Sequence, residues 1–179
     1  MSGADHFVHF FAGDVSLTTA VTTFIKQGLQ AGDVCVVIAT LLHRHTIEEN
    51  LRDVGLIPDA LTTSYDYIPV DANVMLSEFF HEGRVDRQKF YQRASLLLRQ
   101  AAARGRPVRI FGEIPSLLAE QLEDDSAIEV EEMCNALSQH HEFHMFCAYQ
   151  LDALGSGPER AFFRERIQAV HGRESALWL

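Results

Sequence analysis

The run Val34-Cys35-Val36-Val37-Ile38-Ala39 is apolar at every position. It lacks the alternation of a strand wetted on one side, so it reads as a strand covered on both faces, the position of a parallel strand in an α/β sheet. Four further stretches read as strands: His6–Phe11, Tyr65–Pro69, Pro107–Phe111 and Phe143–Tyr149. Pro69 marks a sheet edge or a strand end. Helical periodicity fills the intervals. Asp14 or Ser16 caps a helix whose Leu17, Val21, Phe24, Ile25 and Leu29 share a face, with Gly28 and Gly32 at its end. Helices are also predicted over Thr46–Val54, Asp71–Phe80, Asp86–Arg104, Leu117–Leu122, Ser126–Ser138 and Glu159–Val170, and Ser126 with Glu129 matches a capping box. This alternation predicts a three-layer α/β fold, with a mostly parallel central sheet of about five strands and helices on both faces. At 179 residues, 47% of them hydrophobic, the chain fits one domain over 1–179.

A formal charge of −10 argues against direct nucleic-acid binding or an anionic membrane surface. Met1–Asp5 has neither the charge nor the apolar run of a leader, and no apolar stretch suffices to cross a bilayer. Cys35, Cys134 and Cys147 are too few and too scattered for a disulfide framework, so a cytoplasmic setting is expected.

In such a sheet the strand carboxyl ends collect Phe11-Ala12-Gly13-Asp14, Thr40, Gly112-Glu113 and Tyr149-Gln150 along the edge where α/β proteins bind ligands. Glu113 either caps the helix that follows it or faces a ligand. After the first strand a phosphate loop would need a lysine; Asp14 stands there instead, which argues against ATP hydrolysis by that route. Cys147, between Phe146 and Ala148, reads as a packed thiol rather than a nucleophile. Neither Cys-x-x-Cys nor His-Glu-x-x-His spacing occurs, so no metal is expected, and most of the nine histidines read as surface residues. His6, Glu113, Glu131, Cys147 and His171 can converge only if the fold gathers them.

The opening His6–Phe11, Gly28-Leu29-Gln30-Ala31-Gly32-Asp33 before a hydrophobic strand, Val108–Glu113, Glu131 with Asn135, Cys147-Ala148-Tyr149 and His171 resemble the methanogen/methylotroph sensory (MEDS) domain. The resemblance runs from about His6 to His171. It implies a RecA-like fold related to KaiC-type ATPases without a working phosphate loop, used to sense small molecules such as hydrocarbon derivatives. By motif position it marks His6, Glu113, Glu131, Cys147, Tyr149 and His171; Phe11, Asp14 and Thr40 join them from the strand-end reading. Phe10-Phe11 and Gln150 depart from the family's pattern. The expectation is a non-enzymatic sensor without a cofactor, its pocket anchored by Glu113 and Glu131 and walled by Tyr149. It would signal to a separate kinase or transcription regulator, with self-association left open. The alternatives are a degenerate nucleotide-binding protein, with Glu113 or Glu131 as a general base, and a protein-interaction scaffold.

Overall fold

The computed structural model describes residues 6–151 and 155–171. Met1–Asp5, read above as lacking leader features, lies outside them. In chain order the elements are β1 (His6–Phe11), α1 (Asp14–Ala31), β2 (Val34–Ala39), α2 (Leu41–Asp53), α3 (Pro58–Thr63), β3 (Tyr67–Asp71) and α4 (Ala72–Phe79). There follow β4 (Phe80–His81), β5 (Arg84–Val85), α5 (Arg87–Ala102), β6 (Val108–Gly112), α6 (Ile114–Glu120), α7 (Asp124–Ser138), β7 (His144–Gln150) and α8 (Pro158–His171).

Five strands form one sheet in the order β1-β7-β6-β2-β3, and every neighbouring pair is parallel. The chain moves outward from β2 to β3, then back through β6 to β7. With right-handed crossovers, that reversal puts the early helices on one face and the later ones on the other. Accordingly Phe24 and Ile25 of α1 and Ile47 and Leu51 of α2 share a core with Phe7, Phe111 and Phe146. The opposite core joins α4 to α8 with Val8, Ile110, Met145 and Tyr149. The result is the expected three-layer α/β fold, with the sheet wholly parallel. Its topological reversal falls between β2 and β6, where the Glu113 N–H donates to the Ile38 carbonyl at 3.0 Å.

Gly28 is what lets α1 lie on the sheet. A Cβ there would sit 2.6 Å from Arg109 Cδ and 2.8 Å from Cys35 Sγ. Arg109, a charged residue within β6, is neutralised by Asp33, whose Oδ2 accepts from its Nε at 2.6 Å.

Several boundaries move. The second helix begins at Leu41, not Thr46, because Thr40 Oγ1 caps it by accepting from the His43 N–H. The third strand runs Tyr67–Asp71, and Pro69 sits on the sheet edge opposite Val37, where no ladder bond from its nitrogen is needed. Neither Asp14 nor Ser16 caps α1; Gly13, at φ +113°, takes the cap position, and Ser16 Oγ donates to its carbonyl. The Ser126 capping box does not form, since α7 starts at Asp124 and Ser126 is buried inside its first turn. Asp71 and Asp86 do cap their helices, accepting from Val74 N–H and Lys89 N–H. The short helix α3 and the hairpin β4–β5, which turns through Glu82 and Gly83 at positive φ, were not foreseen.

Candidate functional site

Among the described residues, two groups of polar side chains combine carboxylates with histidines in partly or fully buried settings, one at the carboxyl edge and one in the core under α7 and α8. At the edge, Glu113 is 4% exposed. Its Oε2 accepts from the Thr40 N–H at 2.6 Å, and its Oε1 meets His43 Nδ1 in a short hydrogen bond. His43 Nε2 lies 3.6 Å from Asp14 Oδ1, which in turn accepts from Gln150 Nε2. Glu113 therefore serves the start of α2 rather than that of α6, where it makes no side-chain cap. Burial, and then the charge of Glu113, raise the Glu120 pKa. Three carboxylates against one imidazole make this rim hostile to phosphate.

The hydrogen bond to Glu113 raises the His43 pKa above its ordinary 6.5; burial opposes this, and the charges of Glu113 and Asp14 add to it. With the folded value above the unfolded one, the stability gained from protonated His43 is fully present below the unfolded pKa and is lost as pH rises through the folded value. The excess unfolding free energy of wild type over His43→Gln should shrink across that window in urea titrations. A difference independent of pH would contradict the pairing.

The buried cluster draws on β1, α7, β7 and α8. His6 Nε2 and His171 Nε2 each lie 3.1 Å from Glu131 Oε2, and 3.1 Å from one another. Cys147 Sγ is 3.2 Å from His6 Nε2. Glu131 is fully buried, and its Oε1 accepts from the Tyr149 hydroxyl at 2.7 Å. Behind the rings, His6 Nδ1 meets Asn135 Oδ1 at 2.6 Å and His171 Nδ1 meets the Ile167 carbonyl at 2.8 Å. Burial alone would raise the Glu131 pKa, but His171 and His6 outweigh it and hold the carboxyl well below its usual range. His171 is correspondingly pushed up despite its burial, by the hydrogen bond to Glu131. Glu131 is thus an ionised carboxylate in the core, which demands positive charge beside it. Oε2 nonetheless lacks a well-directed hydrogen bond, although two ring nitrogens lie close to it.

A third feature is apolar. On the α5–α7 side of β6 lies a cavity of about 50 Å³, bordered by Ile38, Phe90, Ala94, Gly112, Ile114 and Cys134 among others. Its border carries no charged, amide or hydroxyl side chain.

These positions correct the single pocket expected from the sequence. His6, Glu131, Cys147, Tyr149 and His171 come together; Asp14, Thr40 and Glu113 form the separate edge group. The two glutamates have different partners, and Tyr149 is wholly buried rather than a wall of the mouth. Phe11 belongs to the aromatic core, its ring centroid 6.1 Å from that of Phe146. Cys147 is packed as expected, and burial raises its pKa along with those of Cys134 and Cys35, the last to about 12. Sequence reasoning missed His43, because the helix carrying it was started too late. Recognising Thr40 as the cap would have placed His43 in the first turn above the strand ends.

No curated protein matches the chain. A comparison with known families matches residues 5–162 to the methanogen/methylotroph, DcmR sensory domain (MEDS). That match covers most of the sequence and includes both the edge group and, except for His171, the buried cluster, so the chain belongs to the MEDS family of sensory domains.

Proposed function

We propose that the domain is a non-enzymatic sensor of a small apolar organic molecule of the hydrocarbon-derivative class, and that it reports occupancy to a separate partner, a kinase or transcription regulator. The observation that carries this reading is the cavity beside β6, bordered only by apolar side chains, Gly112 and Cys134. Water needs two to four polar partners to stay in such a space, whereas an apolar guest gains about 25 cal/mol for each Å² it removes from water. At roughly 10–15 Å³ for each water-sized group, the space takes about three to five of them. Ile114 and Pro115 of α6 border the cavity and directly follow Glu113. A guest that shifts α6 therefore moves the residue that holds Thr40 and His43, which links the cavity to the carboxyl edge. Sensing requires that the guest bind one arrangement more tightly than the other.

A thermal-shift series with short alkanes, alcohols and halocarbons, set against ATP with magnesium, tests the reading. Stabilisation by an apolar compound should reach about 2.7 kcal/mol at a hundredfold excess over Kd. It should vanish in Ala94→Leu, whose larger side chain fills the space. Stabilisation by ATP with magnesium alone would overturn the proposal in favour of a nucleotide-binding protein.

A further inference from the structure

We propose that His6, Glu131, Cys147 and His171 form a four-ligand site for a divalent transition-metal ion of the zinc class. The inference is independent of the apolar cavity and of what binds there.

The donor atoms are already gathered. His6 Nε2, His171 Nε2 and Glu131 Oε2 stand 3.1 Å from one another, and Cys147 Sγ lies 3.2 Å from His6 Nε2. All four fall within 4.8 Å. Tetrahedral zinc with bonds of about 2.0–2.3 Å needs its ligand atoms roughly 3.3–3.8 Å apart, so the two ring nitrogens and Glu131 Oε2 have to open by a few tenths of an ångström, while the widest pair of the set, within 4.8 Å, has to close by about 1 Å.

The outer partners aim these atoms inward. The Ile167 carbonyl can only accept, so His171 Nδ1 carries a hydrogen. Asn135 Nδ2 donates to the Val170 carbonyl, which turns its Oδ1 toward His6 Nδ1, so that nitrogen donates as well. In their neutral form both rings then present Nε2 lone pairs to the point that Glu131 Oε2 also faces. Three acceptors converging in a core repel unless a ring proton or a metal ion lies between them, and a bound metal ion displaces any such proton to solvent. Tyr149 holds the far oxygen of Glu131 and completes an outer shell of the kind that orients metal ligands.

Charge and ligand type both fit. Two neutral imidazoles, a carboxylate and a thiolate sum to −2, which a divalent ion cancels. Binding replaces the Cys147 S–H bond by an S–metal bond and releases that proton to solvent. A donor set of two nitrogens, one sulfur and one oxygen suits zinc better than magnesium or calcium, which take oxygen alone. All four ligand positions come from the protein, so the ion is a structural clamp tying α8 to α7 and the β1 edge of the sheet.

Metal analysis of full-length protein, purified without chelator from zinc-supplemented cells, should give about one zinc per chain. Cobalt replacing it should show tetrahedral visible bands and a near-ultraviolet sulfur-to-metal band. The sulfur band should disappear in Cys147→Ser while the visible bands persist. Asn135→Ala, which frees the His6 ring without removing a ligand, should weaken cobalt affinity about 10–100-fold. Protein with only trace metal and a cobalt spectrum like that of the free ion would mean that a proton alone fills the centre and would overturn the proposal. A sulfur band that survives Cys147→Ser would overturn it as well.

Discussion

Phe146→Ala is expected to lower the unfolding free energy by about 3–5 kcal/mol, the usual cost of truncating a core phenylalanine. Phe146 is 3% exposed and central to the face covered by α1. Its ring stacks on Phe7 at 5.1 Å and meets Phe24 and Phe111 nearly edge-on at 5.6 and 5.7 Å. Removing it takes away the common partner of these rings, and none can refill the space without leaving its own contacts. At roughly 2–4 °C per kcal/mol for a domain of this size, thermal unfolding should come about 6–20 °C earlier. Urea titration should show the midpoint falling with an unchanged slope. Phe146→Leu, which keeps most of the volume, should cost much less. A loss below about 1 kcal/mol for the alanine variant would show that α1 resettles onto the sheet and that the aromatic cluster is not the keystone of this face.

The framework was readable in the sequence because the signals that set it are local. Val34–Ala39 has no polar side, and in the structure it has helices above and below. Asp71 and Asp86 announce their helices by the residue type that caps them. Where local signals misled, a tertiary demand had intervened. Ser126 sits in a capping-box pattern, but α7 starts earlier and draws that serine inside. Thr40 reads from the sequence as a ligand-facing residue, and in the structure its Oγ1 also starts α2 by accepting from the His43 N–H. The candidate sites were less legible. His6 and Asn135 are 129 positions apart, and His6 and His171 are 165 apart. No spacing rule joins such residues. The resemblance supplied most of their identities, and it could not reveal that they divide into two groups with the sheet reversal serving only one. The apolar cavity left no trace in the sequence, since its bordering residues look like any core.

Glu131→Ala should be the most damaging change on the other face, costing about 3–5 kcal/mol when measured in chelator, so that only protein groups contribute. The penalty differs in kind from that of Phe146. Truncation leaves His6 and His171 buried beside one another without the carboxylate between them, and leaves the Tyr149 hydroxyl, in a residue 0% exposed, without its acceptor. Tyr149→Phe alone should cost about 1–3 kcal/mol, because a buried acceptor loses its donor. In the Glu131→Ala background the same change should cost almost nothing, the donor having already lost its partner. Unfolding free energies of the four proteins in this cycle measure the coupling directly. Strictly additive losses would mean that the Tyr149–Glu131 hydrogen bond contributes no stability and that the tyrosine is held by its ring alone, against Phe10 and Phe163.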